Sequence, residues 1–320
     1  MKMNCKKNSM KWIFPIICVL FLVGCGASTP TEYNPHVGKD GLILNFISQA
    51  PPSEVYEGQS VAIGLDITNK GAEDITEVKI DIGAERNLFS EFVSSYTRSL
   101  EGKRTTLRSV GQKDTIFVTT TAEDVIATEK IDTTIRAQAC YPYKTVFATP
   151  ICVDPDILGE ETNKPRECQK RSSQVLSFGS GQGAPVAVKR IEMLMIPTSE
   201  DSVTPRVIFE IDKVTKNWIY NKDIILGEKG PCSAFGVSKA DIGLIDTSKI
   251  FLGQTHLTCN KAQLKTSDAQ EGNEYYTRGD IVCNGQPIKT SELAYLTSLT
   301  MTLEYGVQTE IEQKLIINTV

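Results

Sequence analysis

Alternation of apolar and polar residues is the strongest pattern in this chain. Every second residue is apolar at 61–67, and the same period recurs at 78–82, 207–211 and 299–305. In an extended strand this period places the apolar side chains on one face. The chain therefore predicts β-strands, and Gly306 is expected to form the turn into the last of them. Further strands are expected at 42–47, 115–121, 131–147 and 311–317.

The β pattern is interrupted once, and the interruption predicts two domains. Residues 154–185 are rich in Pro, Gly, Ser and charge, which is typical of a linker. The flanking blocks, 41–153 and 186–320, each contain many short strands and no convincing amphipathic helix longer than two turns. We therefore expect an all-β protein with two tandem immunoglobulin-like β-sandwiches. Residues 84–112 are more polar and are expected to hold short strands at best.

The N-terminal residues are typical of an export signal. Residues 1–11 carry four lysines and no acid, and an apolar run follows from Trp12 to Gly24. This run is too short for a comfortable transmembrane helix, which needs about 20 apolar residues. It ends in Leu-Val-Gly-Cys, a sequence that resembles the lipobox of prokaryotic lipoproteins.

The lipobox resemblance implies cleavage after residues 1–24 and a lipid on Cys25. The alternative is an ordinary signal peptide, or an uncleaved anchor, in which Cys25 is incidental. Residues 25–40 are small and polar and are expected to form a flexible tether. The expected location is the extracytoplasmic face of the cell membrane, with the lipid on Cys25 as the membrane contact.

Charge narrows the range of partners. Removing residues 1–24 takes away four lysines and no acid, so the net charge falls from −5 to −9. This acidity argues against nucleic-acid binding, which favours a basic face. It also argues against electrostatic docking on anionic lipid.

Cysteines supply the next constraint. Two of the nine lie in the predicted signal and one is Cys25, which leaves an even number in an exported chain and favours three disulfides. Six reduced core thiols are the alternative, and a zinc site is disfavoured because the expected mature chain has only two histidines. The expected pairs are 140–152, 259–283 and 168–232, among fifteen possible connectivities. The six residues are Cys140, Cys152, Cys168, Cys232, Cys259 and Cys283.

A short stretch of the first block resembles a known family. Gly58 to Gly71 combines a glycine-containing start, an alternating strand and an Asn69-Lys70-Gly71 turn. It resembles the opening of CARDB-type immunoglobulin-like domains of archaeal and bacterial surface proteins. The resemblance implies the fold and a surface location, and it brings no catalytic residues. The second block departs from the pattern, since Asn217 has no glycine after it.

Two candidate reactive segments are weak. His256 and Cys259 are three residues apart in a predicted strand and would point to opposite faces, so they are not expected to form a nucleophile–base pair. The glycine-rich run 179–183 does not join a strand to a helix, so a linker is favoured over a phosphate loop.

Acidic and aromatic clusters leave alternatives open. The acidic residues at the end of the first block fit either a calcium site or a solvated linker, although no D-x-D-x-D-G loop is present. The aromatic clusters fit either an exposed contact surface or core packing, and core packing is favoured. The acids are Asp154, Asp156, Glu160 and Glu161, and the aromatics are Tyr141, Tyr143, Trp218, Tyr220, Tyr275 and Tyr276.

These patterns favour contact over catalysis. We expect a lipid-anchored surface protein that acts in binding, adhesion or envelope structure, with an envelope protein or a surface polymer as partner and no metal or cofactor. One alternative is a non-catalytic subunit or spacer of an envelope or secretion assembly. The other is a surface hydrolase, which should show a deep pocket with convergent polar groups.

Overall fold

The alternating segments form strands in the computed structural model, and the chain is all-β as predicted. The predicted signal peptide and Cys25 lie outside the described residues. The structure describes residues 34–319 except 91–92, 106–109, 125–129, 166–167, 169–172, 180, 234–235 and 267–275. The strands are β1 (Leu42–Phe46), β2 (Glu54–Tyr56), β3 (Ser60–Asn69), β4 (Ile75–Gly83), β5 (Val93–Leu100), β6 (Lys113–Thr121), β7 (Lys130–Val153), β8 (Ser173–Ser177), β9 (Val186–Ser199), β10 (Ser202–Lys213), β11 (Trp218–Tyr220), β12 (Leu244–Leu252), β13 (Thr255–His256), β14 (Thr258–Cys259), β15 (Ala262–Gln263), β16 (Lys265–Thr266), β17 (Tyr276–Asn284), β18 (Ile288–Lys289) and β19 (Tyr295–Asn318).

The strands assemble into three sheets. A three-stranded sheet has the order β1-β3-β6. A seven-stranded sheet runs β14-β17-β10-β9-β8 and adds β16 beside β17 and β18 beside β10. A nine-stranded sheet runs β13-β12-β19-β7-β4-β5 and adds β2, β11 and β15 at its sides. The branched residues of β3 are fully buried, as the period-two pattern requires. One hydrophobic core connects the inner faces of the three sheets.

Two long strands join the predicted domains. β7 and β19 pair antiparallel along their whole length, from Tyr295 opposite Val153 to Asn318 opposite Lys130. The early part of β7 also pairs with β4, and the late part of β19 pairs with β2, so both complete the first block. The other halves lie with β9 and β12 in the second block. The two blocks therefore share one sheet, and contacts group residues 34–320 into one unit without a break at 154–185.

The turn predicted at Gly306 is wrong. β19 continues through Gly306, which pairs with Pro142 at the middle of the shared sheet. A Cβ on Gly306 would lie 2.7 Å from Cβ of Ile225, so the glycine makes room for the segment that covers this face. The glycine therefore reflects a close contact and not a reversal of the chain.

Buried tyrosines fill the middle of the molecule. The hydroxyl of Tyr141 accepts a hydrogen bond from Leu42 N at 2.9 Å, which ties β7 to the start of β1. The hydroxyl of Tyr305 lies 2.8 Å from Thr145 Oγ1 and accepts from Val186 N at 3.3 Å. Burial raises the pKa of both tyrosines well above the usual value. The core-packing interpretation of Tyr141 is confirmed.

The Asn69-Lys70-Gly71 turn is fixed from two sides. Asn69 is fully buried, and its Nδ2 donates to Glu73 O and Leu100 O at 2.9 and 3.1 Å. Its Oδ1 accepts from Gly71 N at 3.0 Å. A Cβ on Gly71 would lie 1.8 Å from the hydroxyl of Tyr143, so only glycine fits there.

Three segments are more ordered than the sequence predicts. The polar region 84–112 contains the eight-residue strand β5, which pairs with β4. The predicted linker contains β8, which pairs with β9. The end of the predicted tether also contacts the body, since Gly183 N donates to Gly38 O at 2.9 Å.

Candidate functional site

One end of the shared sheet carries several of the sequence candidates. β7 ends at Val153 opposite Tyr295, the first residue of β19. The acidic segment 154–164 leaves β7 at this point, and Glu161 Oε2 accepts a hydrogen bond from Ala294 N at 3.0 Å. We call this end, formed by residues 154–164 and 293–296, the tip.

Lys164 organises the acidic segment of the tip. Its ammonium lies 2.8 Å from Asp154 Oδ2 and 3.0 Å from Asp156 Oδ2, and these side chains are 10–12% exposed. Asp156 also accepts hydrogen bonds from the backbone N–H groups of residues 159, 160 and 161. The bond from Glu161 N is the largest of the effects that lower the pKa of Asp156. Burial by itself lowers the pKa of Lys164, but the two carboxylates outweigh it and raise that pKa.

This arrangement bears on both interpretations of the acidic cluster, the calcium site and the solvated linker. Carboxylate oxygens of Asp154, Asp156 and Glu161 do lie within 4.8 Å of one another. The ammonium of Lys164 contacts two of these groups, so a protein cation already offsets part of their negative charge. Asp154 is buried, so the segment is not the freely solvated linker that the sequence suggests either.

The six cysteines form three disulfides, and one of the expected pairs is confirmed. Cys259 and Cys283 are opposite each other on β14 and β17, and they are bonded. The other two pairs are wrong. The structure instead bonds Cys140 to Cys232 and Cys152 to Cys168.

The reason for the wrong pairing is the length of β7. Cys140 and Cys152 lie on the same extended strand, twelve residues apart, which places them about 40 Å from each other. A bond between them is therefore impossible. Cys152 instead anchors the segment that returns from the tip, and Cys140 anchors the segment that carries Cys232 onto the outer face of the shared sheet.

The tip exposes large apolar side chains. Leu158 is 78% exposed and Leu293 is 72% exposed. Tyr295 and Leu296, at the start of β19, are also exposed. We call these four side chains, exposed at one end of the shared sheet, the patch; Tyr295 and Leu296 are consecutive in β19 and therefore lie on its two faces. Exposed apolar side chains gathered at one end of a sheet are typical of a contact surface. Leu158 and Leu293 interrupt otherwise polar turns, and this is the sequence signal that could have identified the patch.

The remaining reactive candidates are placed apart from the tip. His256 is exposed, and its Nε2 lies 2.6 Å from Ser248 O. Cys259 is held in a disulfide, so it is not a thiol nucleophile. In the glycine-rich run, a Cβ on Gly181 would lie 2.2 Å from Gly38 O, so this glycine permits close backbone contact with the tether.

The aromatic candidates divide between the core and the sheet surface. Tyr143 is buried with Tyr141, whereas Trp218 is half-buried with Lys213 Nζ 5.7 Å from its ring centre. Tyr220 donates its hydroxyl hydrogen to Gln308 Oε1 at 3.0 Å. Tyr275 lies outside the described residues, and the side chain of Tyr276 is not described.

Comparison with known proteins identifies no family for the chain. Within the described residues, no helix has the length and apolarity that crossing a bilayer requires. No protein-family model matches the chain, and no curated protein matches it. The CARDB-type resemblance therefore stays a prediction.

Proposed function

We propose that this chain is a lipid-anchored, extracytoplasmic surface protein that works by binding another envelope protein through the tip. The observation that carries the proposal is that four large apolar side chains are exposed at the tip, those of Leu158, Leu293, Tyr295 and Leu296. The lipobox-like sequence before Cys25 supplies the anchor. Mass spectrometry of the mature N-terminal peptide should find cleavage before Cys25 and a lipid adduct, and an intact 1–24 segment would contradict the anchor.

The tip is built to present this patch rigidly. The Cys152–Cys168 disulfide closes the segment that contains Leu158, and Glu161 bonds that segment to the residues preceding β19. Because these contacts fix the backbone before binding, little conformational entropy remains to be lost when a partner docks.

The side chains of the patch favour a protein partner over a polysaccharide. Three of the four are leucines, which contribute to binding by apolar burial. Carbohydrate surfaces are usually met by the faces of aromatic rings, and only Tyr295 offers one here. A spacer role would need no such patch, so the patch also favours a binding role over the spacer alternative.

A double substitution tests the tip directly. Leu158→Ser with Leu293→Ser removes the two most exposed leucines, and their exposure means that folding should change little. Crosslinking on intact cells should recover a reproducible envelope protein with the wild type and lose it with the double variant. Val110→Ser, at a residue 73% exposed in a loop outside the tip, is the matched control and should retain the partner.

Two results would contradict this proposal. Recovery of the same partner at wild-type yield from the double variant would overturn binding through the tip. Capture of a surface polysaccharide by the wild type, lost in the double variant, would replace the protein partner with a polymer.

A further inference from the structure

A second site lies where the tether meets the body. Pro35 and His36 form one wall of a cleft of about 390 Å3, and residues 72–76, 103–105 and Lys144 form the others. This volume is within the usual range for small-molecule sites, about 300–1,000 Å3. We call it the tether cleft.

The cleft has an excess of positive charge in an acidic protein. Its lining contains three basic side chains and two acidic ones, whereas the whole chain has a net charge of −5. Two of the basic groups are matched by the two acids. Arg104 Nη2 contacts both oxygens of Asp74 at 2.9 Å, and Lys144 Nζ lies 3.1 Å from Glu73 Oε2.

The third basic group, Lys103, is paired with neither of the two lining acids. Its ammonium donates to Val37 O at 3.0 Å, and it makes no salt bridge in the part of the chain that the structure describes. Burial lowers the pKa of Lys103, and Lys70 lowers it further against the opposing effect of Asp40. A partly desolvated cation with one carbonyl partner is stabilised by an anion.

His36 adds a second unmatched polar group to the same cleft. Its Nδ1 is enclosed and has no hydrogen-bond partner among the described residues, so the imidazole must turn to present this atom to an anion in the cleft. The backbone N–H of His36 donates to Asn34 Oδ1 at 2.9 Å, a local hydrogen bond within the tether. An imidazole N–H and an ammonium together match the donors that a carboxylate or phosphate oxygen accepts.

We propose that the tether cleft binds a small oxyanion, a carboxylate or a phosphate, between Lys103 and His36. One wall comes from the tether and the others from the body, so the bound anion joins the two. This site is separate from the tip, and either proposal can fail without the other.

Titration of the two histidines tests the site. The full-length chain in detergent is titrated with succinate and, separately, with inorganic phosphate at constant ionic strength, and the imidazole resonances are followed by NMR. The chain has only two histidines, so exposed His256 is an internal control. His36 should shift in a saturable manner while His256 stays unchanged. Saturation by one probe alone identifies the carboxylate or the phosphate as the ligand chemistry.

Variants of Lys103 separate binding from folding. Lys103→Gln should weaken binding at least tenfold, as expected when a charge-assisted hydrogen bond is lost. Lys103→Arg should restore binding, and Lys314→Gln makes the same charge change at an exposed site on β19 and should have no effect. Thermal unfolding of each variant confirms that it is folded. The proposal is overturned if neither probe reaches saturation even at concentrations well above the millimolar range. It is also overturned if Lys103→Gln binds the probe as tightly as the wild type.

Discussion

Replacing Leu315 with alanine tests whether the shared sheet makes the two blocks one cooperative unit. Leu315 is fully buried near the end of β19, in the half of the strand that closes the first block. Truncating a buried leucine to alanine costs about 2–5 kcal/mol. Since folded domains are stable by only about 5–15 kcal/mol, this loss is easily measured.

A natural probe reports on the other side of the shared sheet. The chain has two tryptophans, and only Trp218 remains when residues 1–25 are removed. Trp218 lies in β11 opposite Gln308, on a segment that follows β10 of the second block. Urea unfolding followed by Trp218 fluorescence therefore reports a part of the molecule distant in sequence from β1, β3 and β6.

Leu315→Ala should shift both transitions together. A loss of about 3 kcal/mol, with a denaturant slope of about 3 kcal/mol/M, lowers the urea midpoint by about 1 M. Far-UV circular dichroism and Trp218 fluorescence should give the same new midpoint. A Trp218 midpoint that stays at the wild-type value, with an early separate phase in circular dichroism, would refute cooperative coupling. Leu293→Ala, at an exposed leucine, is the control and should change stability by less than about 0.5 kcal/mol.

Two further substitutions test local claims. Asn69→Ala removes a fully buried side chain that bonds three backbone groups, so unfolding in urea should show a loss of about 2–4 kcal/mol, and a loss under about 1 kcal/mol would contradict its role in the turn. Asp156 has a lowered pKa in the folded state, so the unfolded chain takes up its proton first. Stability should hold from neutral pH to roughly pH 5 and fall as the pH drops below about 4. The stability of Asp156→Asn should fall less at low pH than that of the wild type. An unchanged dependence of stability on pH would contradict this role of Asp156.

The sequence predicts the amphipathic strands well. β3, β4 and β10 follow the two-residue period closely, because each buries one face against the core and exposes the other. The prediction that a strand begins near Val186 is also confirmed, since β9 begins there. These strands could be predicted because the alternation of apolar and polar residues in the sequence matches the burial of their side chains.

The continuous pairing of β7 with β19 could not be predicted from the sequence in the same way. Gly306 suggests a chain break, yet it lies opposite Pro142 within a continuous pair of strands. β4 pairs with β7 only as far as Cys140, so β7 has a free edge at Pro142 in the described sheet. A proline is tolerated at such an edge, where its missing N–H is not needed for pairing. That explanation depends on which strands are neighbours, and sequence spacing does not contain this information.

The tip was missed for a related reason. The acidic residues were visible in the sequence, but their partner Lys164 lies ten residues beyond Asp154. The exposed leucines come from two segments more than 100 residues apart, which meet only because β7 ends where β19 begins. Each leucine stands out in a mainly polar turn, but the sequence does not show that the two turns meet.

The shared sheet also connects the two proposed sites. Lys144 lines the tether cleft and belongs to β7, and the same strand reaches the tip at Val153. Nine residues of extended strand separate these positions by roughly 30 Å. This stretch of β7 is paired with β19 throughout, so the separation is fixed by a continuous ladder of hydrogen bonds and not by a flexible linker. With a lipid on Cys25, as proposed, the sheet would hold the contact patch at a set distance from the point where the tether joins the body. A partner bound at the tip would then be held by a rigid arm, and the freedom of the complex would lie in the residues between Cys25 and the tether cleft.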